Sequence, residues 1–111
     1  MREPTFWILT ALATRPLHGW GVIQEASALT DGQVVLQAGT LYAALDRLQA
    51  EGLVTPDHDE VVDGRTRRYY RLTDDGAAAL DAETARLRRN AQTAAQVLAA
   101  RRRPVTGLGP A

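Results

Sequence analysis

Residues 64–71 read GRTRRYYR, four arginines and two tyrosines in eight positions. A guanidinium presents its donors in a planar fork that matches a phosphate or a base edge bidentately. The stretch is therefore equipped to grip a polyanion. The whole chain is formally neutral, with 13 basic and 13 acidic side chains, and every basic one is arginine. A lysine-free chain can equally reflect genomic base composition, so position says more than type. Asp57, Asp59, Glu60 and Asp63 immediately precede the arginine run, and Arg86 to Arg103 hold six more arginines and no acid. Charges sorted into blocks create local fields that the net value hides. The opposing reading pairs these arginines with the acids across a hairpin. Cross-strand pairs contribute only ~0.2–1 kcal/mol, which leaves a phosphate able to compete.

Other chemistry is poorly provided for. The chain has no cysteine, which excludes disulfides and thiolate metal sites and fits a reducing compartment. Its two histidines, His18 and His58, stand far apart. His58 lies in an acidic stretch, DHDE, without the second histidine or cysteine that a metal would need. Ser27 is the single serine and has no base placed to activate it. There is no glycine-rich phosphate loop. The expectation is a protein that is not an enzyme, with no catalytic residues, no metal and no cofactor. The apolar run from Phe6 to Ala13 is too short to cross a membrane and lacks a secretory start. A cytoplasmic location with no membrane partner is expected.

The elements that must position the arginines follow from periodicity. Residues 4–14 read as a helix with Pro4 in its first turn. Phe6, Trp7, Ile8, Leu9, Ala11 and Leu12 leave it almost no polar face, so it must be covered all round, in part by a second copy. Pro16, Gly19 and Gly21 mark a turn, with His18 making a local hydrogen bond there, and a second helix runs over 19–29. Val34-Val35-Leu36 reads as a short strand. A third helix opens at Thr40, or slightly earlier at Gln37-Ala38, and buries Leu41, Ala44, Leu45 and Leu48 at i, i+3, i+4, i+7. Gly52 occupies the C-cap position. Strand residues begin at Leu53, and Asp63-Gly64 turns a hairpin whose return strand is 66–73. Thr73-Asp74-Asp75 start a long last helix over 74–102. Its residues Leu80, Thr84, Leu87, Ala91, Ala94 and Leu98 alternate spacings of four and three, a heptad seam.

This order predicts a mainly α fold with a small β-hairpin (α+β), a winged helix-turn-helix over 1–73. It is followed by a C-terminal dimerisation helix over 74–103 and a disordered tail over 104–111. PLHGWGVIQEA, AGTLYAALDRLQAEGLV and RRYYRLTDDG, with the spacing between them, resemble the three signatures of PadR-like transcriptional regulators. The likeness is close over residues 5–76, and the single last helix fits the short form of that family. Trp20, Gly21 and Ala43 depart from the tyrosine, glutamate and proline common there. The resemblance implies a homodimeric repressor of an inverted-repeat operator in double-stranded DNA, released by a small aromatic or cationic effector. A winged helix that binds only protein is the alternative, kept open by the near-neutral composition and the acids beside the wing.

On this reading Gln37, Ala38, Thr40, Tyr42 and Ala43 approach base edges in the major groove, with Arg47 further along. Tyr42 has a rival place in the core beside Leu41 and Leu45. Arg65, Arg67 and Arg68 contact phosphates from the wing, while Arg71 braces the fold. Phe6, Leu80, Leu87, Ala91, Ala94 and Leu98 form the dimer interface. Phe6, Trp7 and Trp20 are the aromatic candidates for an effector pocket, against the simpler reading that they are core.

Overall fold

Helix α1 (Glu3–Thr14) packs against three other helices and a strand, because its sequence offers no polar side to leave in water. Ile8, Leu9, Ala11 and Leu12 are buried within the chain itself, while Phe6 and Trp7 remain half-buried. Around it the computed structural model, which describes residues 1–103, arranges β1 (Leu17–His18), α2 (Gly19–Leu29), α3 (Ala38–Ala50), β2 (Val54–Val62), β3 (Arg65–Leu72) and α4 (Asp74–Arg102). The tail expected over 104–111 lies outside the described residues. None of the described helices is long and apolar enough to cross a membrane.

The third strand is not where periodicity places it. Residues 34–36 form no strand: they are an extended loop whose Val34 and Leu36 pack on the core while Val35 faces solvent. Val34 N–H donates to the Thr30 hydroxyl at 3.0 Å instead of to a ladder partner. The sheet is completed by β1, two residues long, giving the order β1-β3-β2, all antiparallel. Leu17 sits opposite Tyr70 and His18 opposite Tyr69. A two-residue strand after Pro16 carries no alternation to detect.

The hairpin is longer than expected because the acidic run is strand as well. His58 pairs with Tyr69, Asp59 with Arg68 and Glu60 with Arg67, after a register shift at Asp57. Asp63 and Gly64 both have positive φ, 50° and 74°, as a two-residue turn matched to strand twist requires. Pro56 is tolerated because β2 is an edge strand.

A tight junction links α3 to α4. Gly52 (φ 77°) ends α3, with Leu53 N–H donating to Leu48 C=O at 2.9 Å and Gly52 N–H to Gln49 C=O at 3.1 Å. This is the paired bonding of a Schellman cap. The Leu53 carbonyl then accepts from Thr73 N–H (3.1 Å), and the Thr73 hydroxyl donates to Gly52 C=O at 2.7 Å. The same hydroxyl caps α4 by accepting from Gly76 N–H at 2.9 Å. Gly76 lies so close to the Leu53 carbonyl that a Cβ there would overlap it and would also sit 2.7 Å from Leu72 Cδ1.

The first turns of α4 pack on the chain's own α1 and core, with Leu80 half-buried. Glu83 is buried and accepts two bonds from Arg86, at 2.8 and 2.7 Å. The Arg86 guanidinium lowers the Glu83 carboxyl pKa from 4.5 to about 2. From Ala85 to Arg103 every residue is exposed.

Gly76→Ala is expected to destabilise the fold by about 1–3 kcal/mol, the cost of overpacking against backbone that cannot yield. Urea denaturation checks this, and an unchanged midpoint would show that the junction tolerates a methyl group.

Candidate nucleic-acid interface

Helix α3 is an amphipathic helix held on one side only. Leu41, Leu45 and Leu48 are 0–1% exposed and Ala44 is 7% exposed, so the buried stripe is the one read from the sequence. Packing that stripe turns Gln37, Ala38, Thr40, Tyr42 and Ala43 outward, and all five are exposed. Gln37 is the N-cap by backbone conformation, yet its side chain caps nothing. Its amide is thus uncommitted at the helix start. Asp46 shares the outer face one turn along, a carboxylate that would repel a phosphate there.

Tyr42 is half exposed and lies over Gly19 rather than entering the core beside Leu41 and Leu45. A Cβ on Gly19 would collide with the phenol, so this glycine makes the room that Tyr42 needs. Together they wall a cleft of about 330 Å³ between α2, α3 and the hairpin, which Trp20, Arg67 and Arg68 also line. Trp20 is 59% exposed at the start of α2. His18 caps that helix through Nδ1, which accepts from Gly21 N–H at 3.2 Å. Burial, and then the charge of Arg67, push the His18 pKa down, which keeps the ring neutral for this bond.

Along the hairpin the arginines divide into two kinds. Arg68 approaches Asp59 at 3.6 Å and Arg71 approaches Asp57 at 3.7 Å. These are long, exposed pairs of small net worth. Arg65 and Arg67 make no ion pair among the described residues, and both are exposed. Glu60 lies directly across from Arg67, and hydrogen bonding to Glu60 raises the Tyr69 pKa. Tyr69 in turn stacks on His58 with ring centres 4.3 Å apart, so His58 is held as part of the hairpin.

The remaining expected residues fall elsewhere. Arg47 reaches toward α1, where it donates to the Thr5 hydroxyl at 2.8 Å and approaches Glu51 at 3.6 Å. Phe6 and Trp7 meet edge to face at 5.1 Å and line a cleft of about 310 Å³ with Glu83, Arg86 and Leu87. Trp20 lines a different cleft, so the three aromatics do not share one pocket. Of the seam residues, Leu80 is partly taken by the chain's own core, whereas Leu87, Ala91, Ala94 and Leu98 face solvent. One residue escaped the sequence reading altogether. Arg2 lines a further cleft beside α3, with Thr40, Ala43 and Arg47. A lone arginine outside every motif gives no signal until the fold brings α1 against α3.

Comparison with known proteins agrees with this architecture. Residues 8–82 match the model of the transcriptional regulator PadR-like family. A transcriptional regulator of Mycobacterium tuberculosis is 47% identical over 73 residues, which are 66% of this chain and 64% of that protein's length. The chain thus spans just under two thirds of this relative. A PadR-like transcription factor of Bacteroides fragilis superposes with a TM-score of 0.71 at 26% identity, over 85% of this chain and 88% of its own. Bacillus subtilis PadR, solved in complex with operator DNA, gives 0.67 at 21% identity over 75% of this chain and 48% of its own. With its helix-turn-helix, its wing and its long last helix in the arrangement of those proteins, the chain belongs to the PadR-like family of transcriptional regulators.

Proposed function

We propose that this regulator binds duplex DNA as a homodimer, recognises an inverted repeat, and represses transcription until a small aromatic or cationic compound releases it. The observation that carries the DNA reading is the shared side of α3 and the hairpin. Tyr42 on the exposed face of α3 lines one cleft with Arg67 and Arg68, Gln37 is uncommitted at the start of the same helix, and Arg67 is held by no carboxylate among the described residues. The Bacillus subtilis relative with this fold was solved on operator DNA, which supports the same partner here. The α3 side chains would read base edges in the major groove and the wing would neutralise phosphates. The long pairs at Arg68 and Arg71 would yield to a phosphate at small cost.

Arg67→Ala is expected to weaken all duplexes alike and to lower the slope of log affinity against log salt by about one unit per protomer. Gln37→Ala is expected to relax preference at one base pair, by roughly 1–3 kcal/mol. Gel-shift titrations at several salt concentrations measure both. An Arg67→Ala variant that altered sequence preference while keeping the full salt slope would reverse the two roles.

Dimerisation is supported by α4. It leaves Leu87 (40% exposed), Val97 (63%) and Leu98 (46%) in water along a helix whose residues from Ala85 to Arg103 are all exposed among the described residues. Ala91 and Ala94 lie on the same row and permit close approach of a second helix. Replacing Leu87 and Leu98 together by arginine should yield monomers in analytical ultracentrifugation. An unchanged dimer would place the interface elsewhere.

The release step is supported by the cleft at Phe6, Trp7 and Leu87, which opens beside that row and which a second copy would close over. A ligand there acts only as far as it favours the arrangement that cannot bind DNA. Trp7→Phe should remove most of the fluorescence quenching that a bound planar aromatic causes in the wild type. Quenching that survives in the Trp7→Phe variant would move the site to Trp20.

A further inference from the structure

We infer that Arg2 forms, with Thr40 and the flank of Arg47, a second phosphate seat on the side of α3 opposite the wing. The inference rests on the DNA reading above and adds a contact to it. Two clefts border the exposed face of α3. One, toward α2 and the hairpin, is lined by Tyr42, Arg67 and Arg68. The other, about 430 Å³, lies toward α1 and is lined by Arg2, Thr40, Ala43 and Arg47. Each cleft therefore presents two guanidinium groups, and no carboxylate lines either one.

The duplex supplies a reason for this symmetry. A helix with its side chains is ~10–12 Å across, and the major groove is about 12 Å wide. A helix in that groove has a sugar-phosphate wall on each side. Positive charge on one flank alone would leave the other wall uncompensated. Arg2 is available for that wall. It is exposed and makes no ion pair among the described residues. Its own carbonyl accepts from Phe6 N–H at 3.1 Å as the N-cap of α1, so its backbone is anchored. Its acidic neighbour Glu3 lines the Phe6–Trp7 cleft instead. Arg47 is held in place by Thr5 at 2.8 Å, approaches Glu51 at 3.6 Å and keeps about half of its side chain exposed. Thr40 adds a hydroxyl donor at the rim.

The test uses the full chain and a random-sequence duplex, with Arg2→Ala, Arg2→Lys and Arg67→Ala compared across a fourfold range of salt. Arg2→Ala is expected to lower the salt slope by about one unit per protomer, as Arg67→Ala does. Arg2→Lys is expected to restore most of it, since a phosphate seat needs charge more than fork geometry. Thermal melts of the variants should coincide with the wild type, because the side chain is exposed. If Arg2→Ala keeps the wild-type slope while Arg67→Ala loses about one unit, the second seat does not exist and the DNA reading stands. If Arg2→Lys is as defective as Arg2→Ala, Arg2 does not act through charge and the seat is overturned. If the wild type binds no duplex at any salt, the DNA reading falls and the seat falls with it.

Discussion

The burial of one stripe of α3 fixes almost everything that bears on function. Leu41, Leu45 and Leu48 go from water into a core built around α1, at about 1.5–3 kcal/mol each. Their sum is comparable to the whole stability of a domain this size. Turning α3 by a single residue would expose part of that stripe, so its rotation is fixed by the hydrophobic term alone. What remains outside is then decided as well: Gln37, Thr40, Tyr42 and Ala43. The positions proposed to read DNA need no separate device to hold them outward.

The other constraints are polar and local. At its C-terminal end α3 is tied to the start of α4 by Gly52, Leu53, Thr73 and Gly76, with no slack for a methyl group. Along one flank Arg47 ties it to Thr5 of α1, and at the other Tyr42 rests on Gly19. The rigid link between α3 and α4 has a mechanical consequence. A change in how two copies of α4 meet would be carried into the direction of α3 with little loss. On the proposed function, half-site spacing on DNA would depend on that direction, and a ligand beside Trp7 would act on a helix it does not touch.

Long, strongly patterned features were legible in the sequence: the apolar first helix, the i, i+3, i+4, i+7 stripe of α3, the Asp63-Gly64 turn and the glycine that ends α3. Each is set by local periodicity or by a single residue's backbone freedom. The misplaced strand shows the limit. Val34-Val35-Leu36 has strand composition, but Val34 and Leu36 serve as core plugs in a loop, and the ladder position goes to Leu17–His18 because β3 has an open edge there. Tertiary pairing decides such short segments. In the site, exposure of Gln37 and Thr40 followed from the stripe. The direction of Arg47, the separation of Trp20 from Trp7 and the approach of Arg2 to α3 are long-range facts, and spacing along the chain does not encode them.

The central claim is that two copies of the exposed α3 face read DNA together. Selection of bound duplexes from a randomised library tests it most directly. The account predicts enrichment of an inverted repeat whose half-sites lie about one helical turn, ~10 bp, apart, with preference at one symmetric position lost in Gln37→Ala. Enrichment of a single asymmetric site, or of no sequence at all, would contradict it.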